Sequence, residues 1–491
     1  MVTTISSQNQ RAHSAASNSH HRHDHDLELS ILPEAHVHED SDPPSSQVPT
    51  TTTILAKETA TERETLETRA LSNNEPTTAM LAQSISNPPI NKYRLLTASL
   101  LNFLGGMNDS APGPLIPYME RHYAVTYAVV STIFVANAVG FLAAAPCTNL
   151  LERKLGRART YVLAELVMAA AFVALACAPP FPMIVLAFLP IGFGLATALS
   201  LSNVFCANLS NGTAALGILH GSYGIGGTVG PLLATAIASR TGGRWSLFYF
   251  VTLGMAVVNT VLAGWVFRGY ERDMLPARPA SASPSSPDRD REETSHARLL
   301  RGAVRNRVTV LGALFIFAYQ GAEVSISGWI VSFLVAYRHG DVSRVGYVSA
   351  GFWAGITVGR FLLSHPAHTT VGEKLFVIIA IAGAVGFQLV VWLVPNLVGE
   401  AVAVAIVGLL LGPIFPCAAA VFSKLLPRNI QLSSLGFITA SGSSGGAVAP
   451  FVTGLLAQKA GTFVLHPICI GLFVAMEGCW GVLPRIKKRT R

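Results

Sequence analysis

Twelve apolar stretches between residues 95 and 483 limit the possible folds of this chain more than any other feature. A helix that crosses a lipid bilayer needs about 20 mostly apolar residues. The stretches lie at 95–118, 124–146, 160–178, 182–206, 213–238, 244–268, 308–337, 345–365, 373–394, 398–423, 430–457 and 463–483. They predict an all-α polytopic membrane protein with twelve transmembrane helices.

The composition and the placement of charge exclude a soluble nucleic-acid-binding protein. Hydrophobic residues make up 51% of the 491 residues and charged residues 13%, whereas soluble domains contain about 25% charged residues. The formal net charge is +8, but the cations lie mainly in short loops between apolar stretches, as the positive-inside rule describes. The six cysteines have no CxxC spacing, so neither a disulfide framework nor a metal site is expected.

Polar segments flank and divide the apolar part of the chain. Residues 1–92 are rich in Ser, Thr and Asn, which is typical of a disordered tail. The histidine-rich SHHRHDHDLELS within it matches no closed metal-site spacing, so we expect a solvated tail, with metal binding as the alternative. Residues 269–307 form a Pro/Ser-rich charged linker, and 485–491 form a basic tail. A cytosolic N-terminal tail also puts these two segments in the cytosol, in agreement with the positive-inside rule.

The apolar stretches form two six-helix halves that repeat weakly. The halves span residues 93–268 and 308–484. GGTVGPLL at 226–233 is echoed by GGAVAPFV at 445–452. The same displacement aligns residues of the second stretch with residues of the eighth: Phe134, Gly140 and Phe141 with Trp353, Gly359 and Arg360. Parallel repeats joined by a cytosolic linker are the arrangement of alternating-access transporters, whose solute site lies near the bilayer midplane between the halves.

Two acids lie near the middle of apolar stretches, Asp109 in the first and Glu323 in the seventh, and a displacement close to that of the repeat aligns them. An unpaired carboxylate at that depth costs at least about 2.5–3.5 kcal/mol. We therefore expect each acid to face a water-filled path, to be paired or to carry a proton, and we interpret the two as a proton-coupling site. His220 is a candidate proton relay, or else a histidine that hydrogen-bonds a neighbouring helix.

Polar and aromatic side chains in the predicted helices are candidates for the solute site, because small-molecule sites combine both. The candidates are Asn108, Asn137, Asn203, Gln320, Ser325, Trp329, Trp353 and Arg360. Arg360 is the natural counter-ion for an acid or an anionic solute. The alternative is that it extends to the cytosolic interface as an anchor.

The segment after the second stretch reads GFLAAAPCTNLLERKLGRAR and begins at Gly140. It resembles the loop motif of the major facilitator superfamily in spacing, with Asn149 in place of the second Gly and Arg153 in place of the Asp. Glu152 is a candidate for the missing acid. The resemblance implies a gating loop that pairs charges with helix ends, and a simple positive-inside loop is the alternative. The gating-loop residues are Glu152, Arg153, Lys154, Gly156, Arg157 and Arg159.

A glycine-rich run in the fifth stretch, GILHGSYGIGGTVGP, resembles the antiporter motif of the same superfamily. Gly at every fourth position lets helix backbones approach closely and Pro bends a helix, so packing alone is the alternative explanation. The helix-packing residues predicted in this run and its echo are Gly217, Gly226, Gly230, Pro231, Gly445, Gly446 and Pro450.

Three further segments resemble the fucose-permease-like branch of the superfamily, in particular its fungal members. They are the Asn108-Asp109 pair, GAEVSISGW at 321–329 and GFWAGITVGR at 351–360. The resemblance covers residues 95–483 and implies that an acid in the first helix, matching Asp109, takes part in proton and sugar handling. The branch also has an acid in its fourth helix, which this chain lacks, and Glu323 is the candidate for that role.

These observations predict a secondary active transporter that moves a small organic solute by alternating access and is coupled to protons. The alternatives are an efflux pump that exports a secondary metabolite or toxic compound by proton antiport, and a non-transporting nutrient sensor. No HExxH or P-loop motif is present, which predicts neither an enzyme nor a cofactor. The expected partners are a small-molecule solute, protons and the lipid bilayer. We expect a monomer with both termini cytosolic, in the plasma membrane in preference to the vacuolar membrane.

Overall fold

The chain folds into a bundle of long α-helices. The computed structural model describes residues 83–274, 301–428 and 430–484, and no strand occurs within these ranges. The helices before the linker are α1 (Ile90–Ser110), α2 (Pro112–Tyr123), α3 (Tyr127–Val130), α4 (Thr132–Leu155), α5 (Arg157–Ala176), α6 (Phe181–Ala207), α7 (Gly212–Arg240), α8 (Phe248–Val266) and α9 (Tyr270–Met274). The helices after it are α10 (Arg307–Arg338), α11 (Val342–Leu362), α12 (Glu373–Leu393), α13 (Leu397–Leu411), α14 (Ile414–Leu425), α15 (Gln431–Ala460) and α16 (Leu465–Gly481). Short helical turns lie at Trp245–Leu247, Ser364–Pro366, Ala367–Val371 and Thr462–Val464.

Eight helical segments of the described chain are long and apolar enough to cross a membrane. They are Tyr127–Leu155, Arg157–Ala176, Phe181–Ala207, Trp245–Val266, Arg307–Arg338, Glu373–Leu393, Leu397–Leu425 and Thr462–Gly481. The other four predicted stretches also coincide with helices: α1 with α2, α7, α11 and α15. Because these helices are rich in Gly, Ser and Asn, they are less apolar than the eight. The prediction of an all-α polytopic membrane protein is confirmed.

The folded part of the chain begins earlier than residue 93. Helix α1 starts at Ile90, and the residues before it are packed. The Gln83 carbonyl oxygen accepts a hydrogen bond from the Ser210 amide (2.8 Å), and the Gln83 side-chain amide donates to the Asp273 carbonyl oxygen (2.8 Å). The predicted tail boundary at 92 is therefore too late. The remaining parts of the predicted tails and linker, 1–82, 275–300 and 485–491, lie outside the described residues.

Most of the predicted gating loop is helical. Helix α4 continues to Leu155, so Glu152, Arg153 and Lys154 occupy its last turn. Only Gly156 separates α4 from α5, and its φ of +79° lies in the region that favours glycine. The predicted end of the helix at residue 146 was wrong because charged residues also extend a spanning helix beyond the apolar layer, where cations interact favourably with its C-terminus.

The sequence repeat corresponds to a repeated helix pair. A Cβ added to Gly226 on α7 would lie less than 3.0 Å from the Phe103 carbonyl oxygen on α1. A Cβ added to Gly445 on α15 would lie equally close to the Phe317 carbonyl oxygen on α10. The displacement from Phe103 to Phe317 is the one that aligns Asp109 with Glu323. Helices α1 and α10, which carry the two acids, therefore occupy equivalent positions against α7 and α15.

The two halves contact each other at the end of the bundle that holds α2 and α3. The Tyr127 amide donates to Gln458 Oε1 (3.2 Å), and a Cβ added to Gly454 would lie 2.5 Å from the Ser131 Cβ. The face of α4 that carries Ser131 continues towards the opposite end, where Ala145 and Asn149 are exposed. The halves are thus packed together at the end that holds Tyr127, here called the closed end. The end of α4 that holds Arg153, towards which the same face of α4 is exposed, is here called the open end.

Candidate functional site

Asp109 lies near the C-terminal end of α1 and is half-buried. Its Oδ2 accepts a hydrogen bond from the Tyr223 hydroxyl on α7 (2.8 Å), and its Oδ1 accepts one from Asn108 Nδ2 (3.3 Å). The chain can bring Tyr223 this close because Gly106 and Gly226 have no side chain at the crossing of α1 and α7. Both carboxylate oxygens of Asp109 are therefore held by neutral donors.

Glu323 faces the other half of the molecule and pairs with Arg360. Glu323 Oε1 on α10 lies 3.6 Å from Arg360 Nη2 on α11. The Glu323 side chain is only 4% exposed and that of Arg360 is 21% exposed, so the pair is screened by little water. The buried hydroxyl of Tyr319 on α10 lies close enough to interact with both Glu323 and Arg360. Glu323, Arg360 and Tyr319 therefore form one buried polar group inside the bundle.

One charged cluster contains both acids. Tyr223 interacts electrostatically with Asp109, Glu323 and Arg360, and its ring packs edge-on against Trp353 on α11, with ring centroids 6.0 Å apart. Asp109 and Glu323 also interact with each other. The cluster holds two carboxyl groups and one guanidinium group, so one acid has no cationic partner within it.

The two predicted tryptophans are packing residues in this conformation. Trp329 is fully buried and its indole N–H donates to the Pro450 carbonyl oxygen (2.9 Å). Trp353 is 2% exposed and its indole N–H donates to Ser327 Oγ (2.7 Å). Their donors are already used, and they lie where the halves meet. The structure therefore does not place them on an open wall of the site.

The uncharged polar candidates are spread over both halves. Asn108 and Gln320 lie on α1 and α10, beside the charged cluster, and Gln320 also fills the space above Gly442. Buried oxygen atoms of Asn137, Asn203 and Ser325 have no hydrogen-bond partner in the described chain. These buried oxygen atoms could accept hydrogen bonds from a solute. Among the uncharged polar candidates, only Asn108 directly contacts an acid.

His220 lies one turn before Tyr223 on α7 and is exposed. Arg360 is close enough to interact with it electrostatically. No hydrogen bond joins its ring to a neighbouring helix within the described residues, so the structure provides no support for that alternative. His220 therefore borders the charged cluster on the side of the open end.

The predicted gating residues join an ion-pair cluster that lies entirely within the first half. Arg157 Nη2 lies 2.6 Å from Glu152 Oε1, and the Arg157 amide donates to Glu271 Oε1 (2.6 Å). The Arg157 guanidinium carbon also stacks over the Tyr270 ring at 4.5 Å. Arg153, Lys154 and Arg159 are exposed and make no ion pair in the described chain. Gly156 provides the turn that brings Arg157 towards α9.

The sequence alone did not indicate that α9 takes part in this cluster, nor did it single out Tyr270 or Tyr223. Arg94 on α1 is fully buried and pairs with Asp273 (2.5 Å), while Tyr270 lies under both arginines. The acidic YERD segment on an otherwise basic face was a signal that could have indicated α9. Tyr223 lies within the quoted glycine-rich run, but nothing in the spacing indicates a partner for its hydroxyl.

Most of the predicted packing glycines are at close helix contacts. A Cβ added to Gly230 would lie 2.5 Å from Ser110 Oγ, and one added to Gly446 would lie 3.3 Å from Gln320 Cγ. Pro231 and Pro450 lie inside α7 and α15. Gly217 differs, because a Cβ there would meet nothing within 4 Å and the residue is exposed. The structure does not support a packing role for Gly217, which lies beyond the crossing with α1.

Comparison with known proteins adds a family match. The family model described as Major Facilitator Superfamily matches residues 98–450. Bypass of stop codon protein 6 from Saccharomyces cerevisiae is 26% identical over 420 residues, which is 82% of this chain and 84% of that protein. The Glucose/mannose transporter GlcP from Bacillus subtilis is 23% identical over 355 residues, which is 72% of this chain and 85% of that protein.

A solved structure shares the fold at low sequence identity. The crystal structure of a D-xylose-proton symporter superposes with a TM-score of 0.64 and 13% identity, covering 82% of this chain and 99% of that chain. At that identity the likeness concerns the fold alone.

Proposed function

Because the chain belongs to the Major Facilitator Superfamily, we propose that it is a secondary active transporter that moves a small organic solute by alternating access, with protons as the coupling ion. It is an integral multi-pass membrane protein, for which we propose the plasma membrane and cytosolic termini. The bundle that is closed at one end and open at the other supports the alternating-access part of this proposal.

The observation that carries the proton coupling is the charge imbalance of the cluster. Arg360 pairs with Glu323, whereas Asp109 is held only by the neutral donors Tyr223 and Asn108. An unpaired charge inside a membrane protein is expensive, so loading a proton on the site is favourable. A proton on Asp109 would also release the Tyr223 hydroxyl, which could then donate to a solute. Proton loading and solute binding would in this way favour each other.

For the solute, we propose a neutral molecule of sugar size with several hydroxyl groups. The cluster already holds more negative than positive groups, which disfavours an anion. Tyr223, Asn108 and Gln320 provide donors and acceptors suited to hydroxyl groups. The name of one relative, the Glucose/mannose transporter GlcP, agrees with this class. We propose symport, in which solute and proton move in the same direction. The close helix contacts of Gly226 and Gly230 explain the antiporter-like run by packing alone, so that run does not require antiport.

The test is uptake of radiolabelled D-glucose, D-mannose and D-xylose into proteoliposomes at several external pH values, with and without a proton gradient. We expect the intact protein to accumulate one or more of these sugars only with the gradient. Asp109→Asn and Glu323→Gln should each abolish accumulation and flatten the pH dependence, because neither amide can take up and release a proton at working pH.

The matched control is Glu165→Gln. Glu165 is a fully buried acid on α5, outside the cluster, so this variant should retain the gradient dependence. Unchanged rates across pH in both cluster variants would contradict the proton-coupling proposal. Saturable, pH-independent sugar binding without gradient-driven flux would favour the sensor.

A further inference from the structure

The acids at the open end of the first half are all engaged by arginines of the folded body. Within the described chain they are Glu152, Glu271 and Asp273. Glu152 pairs with Arg157, and Glu271 accepts the Arg157 amide. Asp273 pairs with the buried Arg94. Glu271 is therefore the one carboxylate of the first half at this end that has no cationic side-chain partner within the described chain.

Five cations of the α4–α5 and α8–α9 junctions, at the same end, are exposed and form no ion pair within the described residues. They are Arg153, Lys154, Arg159, Arg268 and Arg272. They lie in two short segments, the α4–α5 junction and the α8–α9 junction, which the hydrogen bond from Arg157 to Glu271 holds side by side. Five like charges on adjoining segments repel each other unless an anionic partner is present.

Two of these cations lie at the ends of exposed apolar surfaces of α5 and α8, which we expect to face lipid. On α5, Arg159 lies two turns before Leu166, which is 52% exposed, and therefore on the same face. On α8, Arg268 lies one turn after Trp265, which is 59% exposed. The helices are in contact near this end, since a Cβ added to Gly264 would lie 3.2 Å from Val162 Cγ2. Each arginine thus lies where a lipid-facing surface reaches the headgroup layer.

The surrounding aromatic residues support this placement. Trp265 and Tyr93 are both more than half exposed, and their ring centroids lie 6.0 Å apart. Tryptophan and tyrosine are enriched at the level of the lipid headgroups. The pair therefore marks the membrane boundary immediately beside Arg268.

We propose that Arg159 and Arg268, flanked by Arg153, Lys154 and Arg272, form a binding site for the headgroup of an anionic phospholipid. The lipid belongs to the leaflet at the open end, which the distribution of charge predicts to be the cytosolic one. Anionic lipids are concentrated in that leaflet and attract juxtamembrane cations. The acyl chains of such a lipid would lie along the exposed surfaces of α5 and α8, and its phosphate would lie between the two arginines.

The test uses the full-length protein purified in a neutral detergent and titrated with dioleoylphosphatidylserine or dioleoylphosphatidylcholine. Native mass spectrometry counts the lipids retained, and a thermal unfolding curve follows stabilisation. The variant Arg159→Gln/Arg268→Gln should weaken phosphatidylserine binding about thirtyfold, which corresponds to about 1 kcal/mol for each cation near an anionic surface. The control Arg240→Gln/Arg344→Gln removes two exposed cations from the closed end and should leave the binding unchanged.

A competition experiment with a soluble compound distinguishes a lipid from a free phosphate compound as the ligand. Glycerophosphoserine carries the same headgroup without acyl chains and should not displace the lipid at millimolar concentration. Displacement by glycerophosphoserine, equal retention of phosphatidylcholine, or equal losses in the two double variants would overturn the proposal. Because neither readout involves solute flux, failure here leaves the proposed transport activity standing, and failure of transport leaves the lipid site standing.

Discussion

Tyr223 connects the two halves of the molecule at the level of the acids. Its hydroxyl donates to Asp109 of its own half, while its ring packs against Trp353 of the other half. Arg360 lies two turns after Trp353 on α11 and pairs with Glu323. Any separation of α7 from α11 must therefore disturb groups that also hold the two carboxyl groups.

The Glu323–Arg360 pair should show energetic coupling in a double-mutant cycle. Glu323→Gln and Arg360→Gln each leave one buried charge without its partner, whereas the double variant removes both charges. We expect the loss in unfolding free energy of the double variant to be smaller than the sum of the single losses by about 0.5–3 kcal/mol. Chemical unfolding in detergent, followed by tryptophan fluorescence, measures the three variants.

The exposed pair Arg344–Asp341 provides the control cycle. Its charged atoms are 4.0 Å apart and the side chains are 87% and 59% exposed, so water screens it and no measurable coupling is expected. A coupling for Glu323–Arg360 no larger than that of this control would contradict the assignment of a functional buried pair.

The residues that could be predicted from sequence are those whose chemistry conflicts with a membrane. Asp109, Glu323 and Arg360 are conspicuous because a charge within an apolar stretch is expensive, and the structure brings all three into one cluster. Tyr223 and Tyr319 are unremarkable in such a stretch. Their importance depends on which helix lies opposite, which spacing along one helix does not determine.

At the scale of helices, the closed end depends on backbone contacts that glycine permits. A Cβ added to Gly113 on α2 would lie less than 3.0 Å from the Ser327 carbonyl oxygen on α10. A Cβ added to Gly328 would lie 2.8 Å from Phe134 Cζ on α4. Helices of opposite halves therefore meet here without room for an additional methyl group.

Gly113→Ala should destabilise the conformation that is closed at this end. The added methyl group must push α2 away from α10, at a cost of about 1–3 kcal/mol. Spin labels at Ala124 and Lys459, which are both exposed near this end, should then report a larger share of long distances by pulsed electron resonance. Gly217→Ala is the control, because a Cβ there meets nothing within 4 Å. Identical distance distributions in the two variants would show that Gly113 does not limit closure.

The positions of the helices were largely predictable and their ends were not. Apolar stretches indicated every long helix, since the membrane imposes a minimum apolar length. The charged end of α4 was assigned to a loop because residues from Glu152 onwards are polar, yet the backbone there continues to hydrogen-bond as a helix. The short helix α9 was assigned to the linker because its residues are also polar. Its contacts with Arg94 and Arg157 involve parts of the chain distant in sequence.

At the scale of the whole molecule, the proposed orientation in the membrane rests on the distribution of cations and can be tested on the native chain. Cys177 is the only exposed cysteine of the six, and it lies at the closed end, between α5 and α6. If the closed end faces outward, a membrane-impermeable maleimide should label Cys177 in intact cells. Cys177→Ser should remove that labelling. Labelling that requires permeabilised cells would reverse the topology.

The chain enters the bundle and leaves its first half at the same spot, because Gln83 is bound to Asp273 and to the turn at Ser210. The other terminus is fastened to the second half, where the Lys374 ammonium group donates to the Leu483 carbonyl oxygen (2.7 Å). The two ends of the described chain are thus bound to different halves. If the halves move against each other as proposed, a donor and an acceptor fluorophore fused to the two termini would report that motion in a single molecule by energy transfer, without a label inside the membrane.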